Sequence, residues 1–263
     1  MSAESAIAYF ARHFVAIAVT YRFRSETGPA RFAAASGTLI QVDDICAVLT
    51  AGHVIDELER ILDHPDLAEF HCSVADTFGS SAVTDHPIPY DFSNAPRFHI
   101  DAGGLDFGLL FLHSFQVRLL QAHNMVPIDE VGLSGEPDDL DVFIILGLPS
   151  DFTDTHVSQD GGGAVRLMTV RVTKLGSDAP VFETEFPRFI GELSGEIPFS
   201  LTGMSGGPIF GFNRSRPNKY WIVAIQSSWK DRRFVFGCPT NQIAAIIRHL
   251  GTQVLKDRSD LEL

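Results

Sequence analysis

A series of short runs of β-branched and aromatic residues, separated by turn residues, constrains this fold more than any other feature of the sequence. The clearest pair, 37–42 and 45–50, flanks Asp43-Asp44 and indicates a β-hairpin. Short strands at such spacing are typical of a β-sandwich or β-barrel. Further strands are predicted at 14–21, 69–75, 107–111, 142–146, 165–175, 181–190, 207–212 and 220–228, and helices at 5–14, 54–60 and 240–249, with a frayed tail from 257.

The length of the chain favours one folded unit. A chain of 263 residues buries roughly 70–75% of its unfolded surface, and all-β enzymes of this size commonly form a single domain. We therefore expect one domain over residues 1–263, with an N-terminal β half at about 14–120 and a C-terminal β half at about 125–238. The boundary between the halves is expected within 114–130, ahead of the apolar run at 142–146.

The charge balance argues against two classes of partner. The chain has 20 Lys and Arg against 33 Asp and Glu, a formal net charge of −13 at pH 7. Nucleic acids and anionic membranes are bound by basic surfaces, so we expect neither as a partner. The acidic residues are spread along the chain, as on an ordinary solvated surface.

The sequence shows no targeting or membrane signal. No apolar stretch approaches the ~18 residues of a membrane-spanning helix. The N-terminus lacks a basic segment, and Arg12 and His13 interrupt its apolar stretch, so no signal peptide is predicted. We therefore expect a cytoplasmic protein.

The cysteines favour neither a disulfide framework nor a metal site. There are three, Cys46, Cys72 and Cys238, an odd number without CxxC spacing. Buried thiols in a reducing compartment are the expected state, and we expect no metal and no other cofactor.

The segment 203–208, Gly-Met-Ser-Gly-Gly-Pro, carries the strongest chemical signal. A serine nucleophile for acyl transfer must project its Oγ from a tight turn, and nearby backbone N–H groups must stabilise the oxyanion. Glycines on both sides of Ser205 permit the unusual dihedral angles that such a turn needs. An ordinary glycine-rich turn is the alternative for this segment taken alone.

Two further segments supply the partners of such a nucleophile. Thr-Ala-Gly-His at 50–53 ends an apolar strand and opens a helical turn, which fixes the imidazole of His53. Asp106 precedes an apolar strand, where a buried carboxylate is tolerated if it accepts hydrogen bonds. The order His, Asp, Ser along the chain is one of the known solutions of the catalytic triad. The three residues together therefore predict a triad.

These motifs resemble those of the trypsin-like serine peptidases. That family marks its histidine with Thr-Ala-Ala-His or Thr-Ala-Gly-His, its aspartate with Asp-Ile/Leu-Ala-Leu-Leu and its serine with Gly-Asn/Asp-Ser-Gly-Gly-Pro. The resemblance runs from about residue 14 to 249. It implies an all-β fold of two packed six-stranded antiparallel barrels, with a short N-terminal helix, a C-terminal helix and an active site between the barrels.

The resemblance also implies a role for each catalytic group. Ser205 would attack the scissile carbonyl and His53 would take its proton, later passing it to the leaving amine. Asp106 would hold the imidazole in the required tautomer. The N–H groups of Gly203 and Ser205 would form the oxyanion hole, and the substrate would be a protein or peptide.

Substrate contacts are implied by a second similarity. The run Ala-Ile-Gln-Ser at 224–227 is similar to the family's Gly-Ile-Val-Ser strand beside the primary specificity pocket. Ser227 is then expected to support Asp106, and Ser227 and Ser228 to pair with substrate backbone. An ordinary core strand is the alternative.

Phe199 and Gln226 would set the primary pocket. Phe199 stands six residues before the nucleophile, at the pocket floor in this family, and Gln226 stands on the pocket wall. Neither supplies a charge, and burying an unpaired charge costs several kcal/mol. We therefore expect cleavage after small or medium apolar residues. The alternative is that Glu192 or Glu196 reaches the pocket and favours a basic residue.

Two departures distinguish this chain from secreted relatives. Met204 stands where they carry an aspartate that pairs with a newly cut N-terminus, so activation by N-terminal cleavage is not expected. Val54 stands where they keep a cysteine, so that disulfide is missing. Both departures make the chain more similar to bacterial or intracellular members of the family.

Two other function classes are alternatives to a peptidase. A catalytically inactive relative would bind peptides or partner proteins in the same cleft; an intact triad argues against it. An esterase of the α/β-hydrolase type would need the order Ser, Asp, His and a helix after the nucleophile, whereas the segment after Ser205 is predicted to continue as a strand.

Overall fold

The structure, a computed structural model, describes residues 9–76, 87–134, 139–158, 163–176, 184–216 and 218–259. These residues are mostly β, in two sheets. Among them, no helix is both long and apolar enough to cross a membrane.

The N-terminal sheet has seven strands in the order β5-β4-β1-β2-β3-β7-β6. All of its pairings are antiparallel, and the predicted hairpin is confirmed, with Val42 opposite Ile45 and Asp43 in the left-handed region at φ 51°. Its strands are β1 Phe14–Phe23, β2 Arg31–Val42, β3 Ile45–Thr50, β4 Leu67–Ala75, β5 Ile88–Tyr90, β6 Arg97–Ala102 and β7 Leu105–Phe111.

This sheet is open, so the expectation of a closed six-stranded barrel in the first half is wrong. Its edge strands are β5 and β6. Strand β5 has only three residues, and Pro89 at its centre has no N–H with which to pair a second neighbour. Arg97 begins the other edge strand; its Nη1 donates to the Phe92 carbonyl at 2.7 Å and its Nε to Glu59 at 2.6 Å.

The C-terminal sheet is the closed six-stranded barrel that was predicted, in the order β10-β13-β12-β11-β8-β9. Its interior is apolar and includes Phe143, Ile145 and Val235. The predicted strand at 181–190 is shifted: 184–188 are not strand, and 181–183 lie outside the described residues. The strands are β8 Val142–Gly147, β9 Met168–Lys174, β10 Phe189–Leu193, β11 Pro208–Phe212, β12 Tyr220–Lys230 and β13 Phe234–Pro239.

The helices lie outside the sheets. They are α1 Gly52–Leu62, α2 Ser114–Ala122, α3 Glu130–Ser134 and α4 Ile243–Ser259, with 3₁₀ turns at Ala11–His13, Ser150–Phe152 and Thr240–Gln242. Helix α4 continues through the stretch from 257 that was predicted to fray, up to Ser259. Of the helix predicted at 5–14, residues 9–13 are helical and 5–8 lie outside the described residues.

One apolar cluster joins the two halves. It contains Leu49 of β3 and Phe107 of β7 from the first sheet, and Leu146 of β8 and Phe210 of β11 from the barrel. All four are almost fully buried. The cluster brings together the end of β3, the start of β7 and the start of β11, where the three predicted catalytic residues lie.

Candidate active site

His53 and Asp106 form a hydrogen-bonded pair. Strand β3 pairs with β7, which sets Thr50 opposite Gly108 and brings the first turn of α1 beside Asp106. The Nδ1 of His53 lies 2.8 Å from Oδ2 of Asp106, and the backbone N–H of His53 donates to Oδ1 at 3.1 Å. Since a carboxylate only accepts, the ring carries its proton on Nδ1. This leaves Nε2 as the basic nitrogen.

Gly52 permits this pairing. A Cβ at this position would lie 2.1 Å from the carbonyl oxygen of Ile100, far inside contact distance. Only glycine therefore allows α1 to begin so close to strand β6. The glycine of the Thr-Ala-Gly-His motif has a steric role.

The surroundings of His53 raise the pKa of its imidazole. The hydrogen bond that His53 donates to Asp106 is the main cause, burial opposes it, and the charges of Asp106, Asp101 and Asp56 add to it. An ionised neighbour stabilises the imidazolium. His53 therefore gains a proton more readily than a free histidine.

The nucleophile turn is fixed in an unusual conformation. Gly203 and Gly206 both have φ 87°, in the left-handed region that favours glycine. A Cβ on Gly206 would also lie 2.1 Å from Oγ1 of Thr50 and 2.3 Å from the Ser36 carbonyl. Met204 is fully buried in the barrel. These constraints project Ser205 towards the first sheet.

Two backbone N–H groups of this turn remain available. The N–H of Met204 donates to Leu201, that of Gly206 to Gln226 and that of Gly207 to Met204. Within the described part of the chain, no acceptor is found for the N–H groups of Gly203 and Ser205. These are the two donors predicted for the oxyanion hole.

Ser36, a residue that the sequence reasoning missed, attaches strand β2 to this turn. It is fully buried, its Oγ donates to the Gly203 carbonyl at 3.3 Å, and it accepts from the N–H of Leu148 at 3.0 Å. Its own carbonyl accepts from Thr50. A polar residue amid the apolar residues of a strand is the signal that could have identified it.

Ser205 and His53 line one cleft but are not hydrogen-bonded to each other. The Oγ of Ser205 donates to the Ser227 carbonyl at 3.2 Å. Rotation of χ1 between staggered rotamers would redirect it. Catalytic hydrogen bonds commonly form only once substrate is bound.

The predicted substrate-binding residues divide into two groups. Ser227 and Ser228 line the cleft beside Ser205; the Oγ of Ser227 donates to the Phe236 carbonyl at 3.3 Å and not to Asp106. Phe199 and Gln226 are buried, at 6% and 1% exposure. Phe199 packs edge-on against Phe152. The amide atoms of Gln226 have no partner among the described residues.

A second carboxylate, that of Asp101, lies close to the His53–Asp106 pair. Ligand atoms of His53, Asp101 and Asp106 lie within 4.8 Å of one another, close enough to hold a metal ion. Both oxygens of Asp106 already accept from His53. A metal would therefore have to replace these hydrogen bonds.

The three cysteines are buried and free. Burial raises the pKa of the thiols of Cys46 and Cys72 to about 12, and burial also raises the pKa of Cys238. Thiols at such pKa values are poor nucleophiles. The predicted burial of the thiols is confirmed.

The comparisons with protein-family models and with curated proteins gave no match. A closed six-stranded antiparallel barrel beside a second β-sheet is compatible with a chymotrypsin-like fold.

Proposed function

We propose that this chain is a serine endopeptidase of the trypsin-like class, acting on proteins or peptides through an acyl-enzyme intermediate. The observation that carries the proposal is the orientation of His53, whose Nδ1 lies 2.8 Å from Oδ2 of Asp106 at the cleft that Ser205 also lines. The N–H groups of Gly203 and Ser205, for which no acceptor is found among the described residues, also support the proposal. The buried free thiols favour the reducing, cytoplasmic compartment that we predicted.

In the proposed reaction, Ser205 Oγ attacks the scissile carbonyl and Nε2 of His53 accepts the hydroxyl proton. The carbonyl oxygen, now negatively charged, accepts hydrogen bonds from the N–H groups of Gly203 and Ser205. His53 then donates its proton to the leaving amine. Water repeats the cycle on the acyl-enzyme, and Asp106 stabilises the imidazolium throughout.

The second candidate is a catalytically inactive domain that binds peptides in the same cleft. The hydrogen bond from Ser205 Oγ to the Ser227 carbonyl favours it, because this bond directs the hydroxyl away from His53. The two candidates differ in whether Ser205 becomes nucleophilic.

Covalent labelling separates them. A fluorophosphonate probe reacts with an activated serine, so we expect one label per chain, located at Ser205 by peptide mass spectrometry. The His53→Ala variant should lose the label, since it lacks the base. The Ser215→Ala variant, altered in an exposed loop, is the matched control and should label normally. An unlabelled wild-type chain would favour the inactive domain.

The pH dependence should report the raised pKa of His53. Only the neutral imidazole accepts a proton from Ser205, so kcat/KM should fall as pH drops through that pKa, which lies above that of a free histidine. Asp101→Asn removes a negative charge that stabilises the imidazolium. It should therefore shift the acidic limb to lower pH, as measured from pH profiles of kcat/KM.

The control is Asp63→Asn, an exposed carboxylate just after α1. Its acidic limb should match that of the wild type. If the acidic limb of the kcat/KM profile of Asp101→Asn lay at the same pH as that of the wild type, the electrostatic contribution of Asp101 would be contradicted.

A further inference from the structure

An apolar cleft lies beside Ser205 and extends from it along helix α1. The cleft has a volume of about 530 Å³ and runs between α1 and the face of the first sheet formed by β1 and β2. Its lining is largely apolar. The sheet provides Ile17, Val19, Tyr21, Ala33 and Ala35, and α1 provides Val54, Leu58 and Ile61.

Small residues on β2 create this space. Ile17 lies opposite Ala35, and Val19 lies opposite Ala33, so these four side chains share one face of the sheet. On α1, the spacing of Val54, Leu58 and Ile61 turns one face of the helix to the same cleft. An alanine in place of a larger residue leaves the volume between sheet and helix unfilled.

Three residues near the nucleophile are withdrawn into the barrel. Phe199 and Met204 belong to the packed interior of the barrel, and both are almost fully buried. Gln226, on the predicted wall of the primary pocket, is only 1% exposed. Neither Phe199 nor Gln226 lines the cleft, whose barrel side includes Leu201, Thr202, Ser227, Ser228 and Trp229.

The position of His53 indicates which part of the substrate lies in this cleft. The leaving amine must lie within reach of His53, which returns the proton to it. His53 occupies the first turn of α1, and the cleft continues from there along the helix. The part of the substrate after the scissile bond therefore passes along α1 and β2, whereas the part before it is expected beside Ser227 and Ser228.

The charges at the cleft do not favour an ionised side chain. The lining includes two charged residues, Glu57 and Arg60. They form an ion pair with each other, and Arg60 also bonds to Asp56. An apolar side chain entering this cleft would leave that ion pair intact.

We propose that this cleft binds a large apolar side chain at the first or second residue after the scissile bond, and that it determines the substrate class of the enzyme. This inference rests on the proposed peptidase activity. Ala33 and Ala35 are the specificity-determining residues, because their size sets the depth of the cleft.

Internally quenched peptides test the proposal. The residues before the scissile bond are held constant, and Leu, Phe, Ala, Gly and Asp are placed at each of the next two positions. Burying a Leu or Phe side chain should raise kcat/KM roughly 10- to 100-fold over Ala or Gly at one of these positions. A flat profile at both positions would overturn the proposal.

Two variants fill the cleft from opposite sides, Ala33→Phe from β2 and Ile61→Trp from α1. Each should abolish the preference for Leu and Phe, and the fluorophosphonate probe should still label Ser205. Labelling also reports whether each variant is folded. Ala68→Phe, on an exposed position of β4, is the matched control and should retain the preference.

The outcomes distinguish the two proposals. Labelling of Ser205 with a preference that survives both filling variants would overturn the cleft assignment and leave the peptidase proposal standing. Failure of the wild-type chain to label would overturn the peptidase proposal, and the cleft assignment with it.

Discussion

Ser205→Ala and His53→Ala should each reduce peptide hydrolysis by at least about 10⁴-fold. The first variant has no nucleophile, and the second has no base to activate it. Any residual rate above that of water would come from the N–H groups of Gly203 and Ser205, which both variants retain. The measurement is kcat on a quenched peptide that the wild-type chain cleaves.

Folding must be shown to survive in both variants. Neither side chain fills the apolar cluster that joins the two halves, so the midpoint of thermal unfolding should stay near that of the wild type. Ser215→Ala serves as the activity control. Turnover above about a tenth of the wild-type value in either variant would be incompatible with the assigned triad.

Asp106→Asn should reduce kcat by about 10⁴-fold. The backbone N–H of His53 donates to Oδ1 of Asp106, so the amide of an asparagine would keep its oxygen there and present its NH₂ group to Nδ1. The imidazole would then carry its proton on Nε2, where it cannot accept one from Ser205. The substitution is nearly isosteric, so it should act mainly through the tautomer.

A pH profile separates this explanation from a loss of folding. Asp106→Asn removes the main cause of the raised pKa of His53, so the acidic limb of the residual activity should move to lower pH. Asp63→Asn is again the control. Retention of more than about a tenth of wild-type turnover by Asp106→Asn would contradict the role given to Asp106.

The sequence located the groups of the candidate site because each depends on a local constraint. Gly52 and Gly206 are required where a Cβ would overlap backbone or side-chain oxygens, and such glycines are visible in a motif. The hairpin at Asp43 was also predictable, since turn residues between two apolar runs define it. The same patterns could not show that Ser205 is hydrogen-bonded to Ser227.

Five elements in the described part of the chain were not predicted from the sequence: β5, β6, β13, α2 and α3. For β13 and α2 the reason lies in their residues. Strand β13 follows a turn in which Asp231 and Arg232 have positive φ, and an arginine does not mark such a turn as glycine or asparagine would. Helix α2 lies within the segment 114–130, for which the sequence predicted a boundary but no helix. It leaves Phe115 and Leu119 exposed, so its sequence lacks a clean amphipathic pattern.

By itself, the sequence determined the short strands, the hairpin, the three catalytic candidates and their order, because these depend on neighbouring residues and on turn stereochemistry. Only the tertiary structure decided that the first sheet stays open and that the cleft extends along α1. The first depends on β5 and β6 not pairing with each other, which the three-residue length of β5 and its Pro89 favour. The second depends on Ala33 and Ala35 facing a helix that the chain reaches only after β3. At the cleft, side chains from distant segments meet, and no local pattern specifies how much volume they leave.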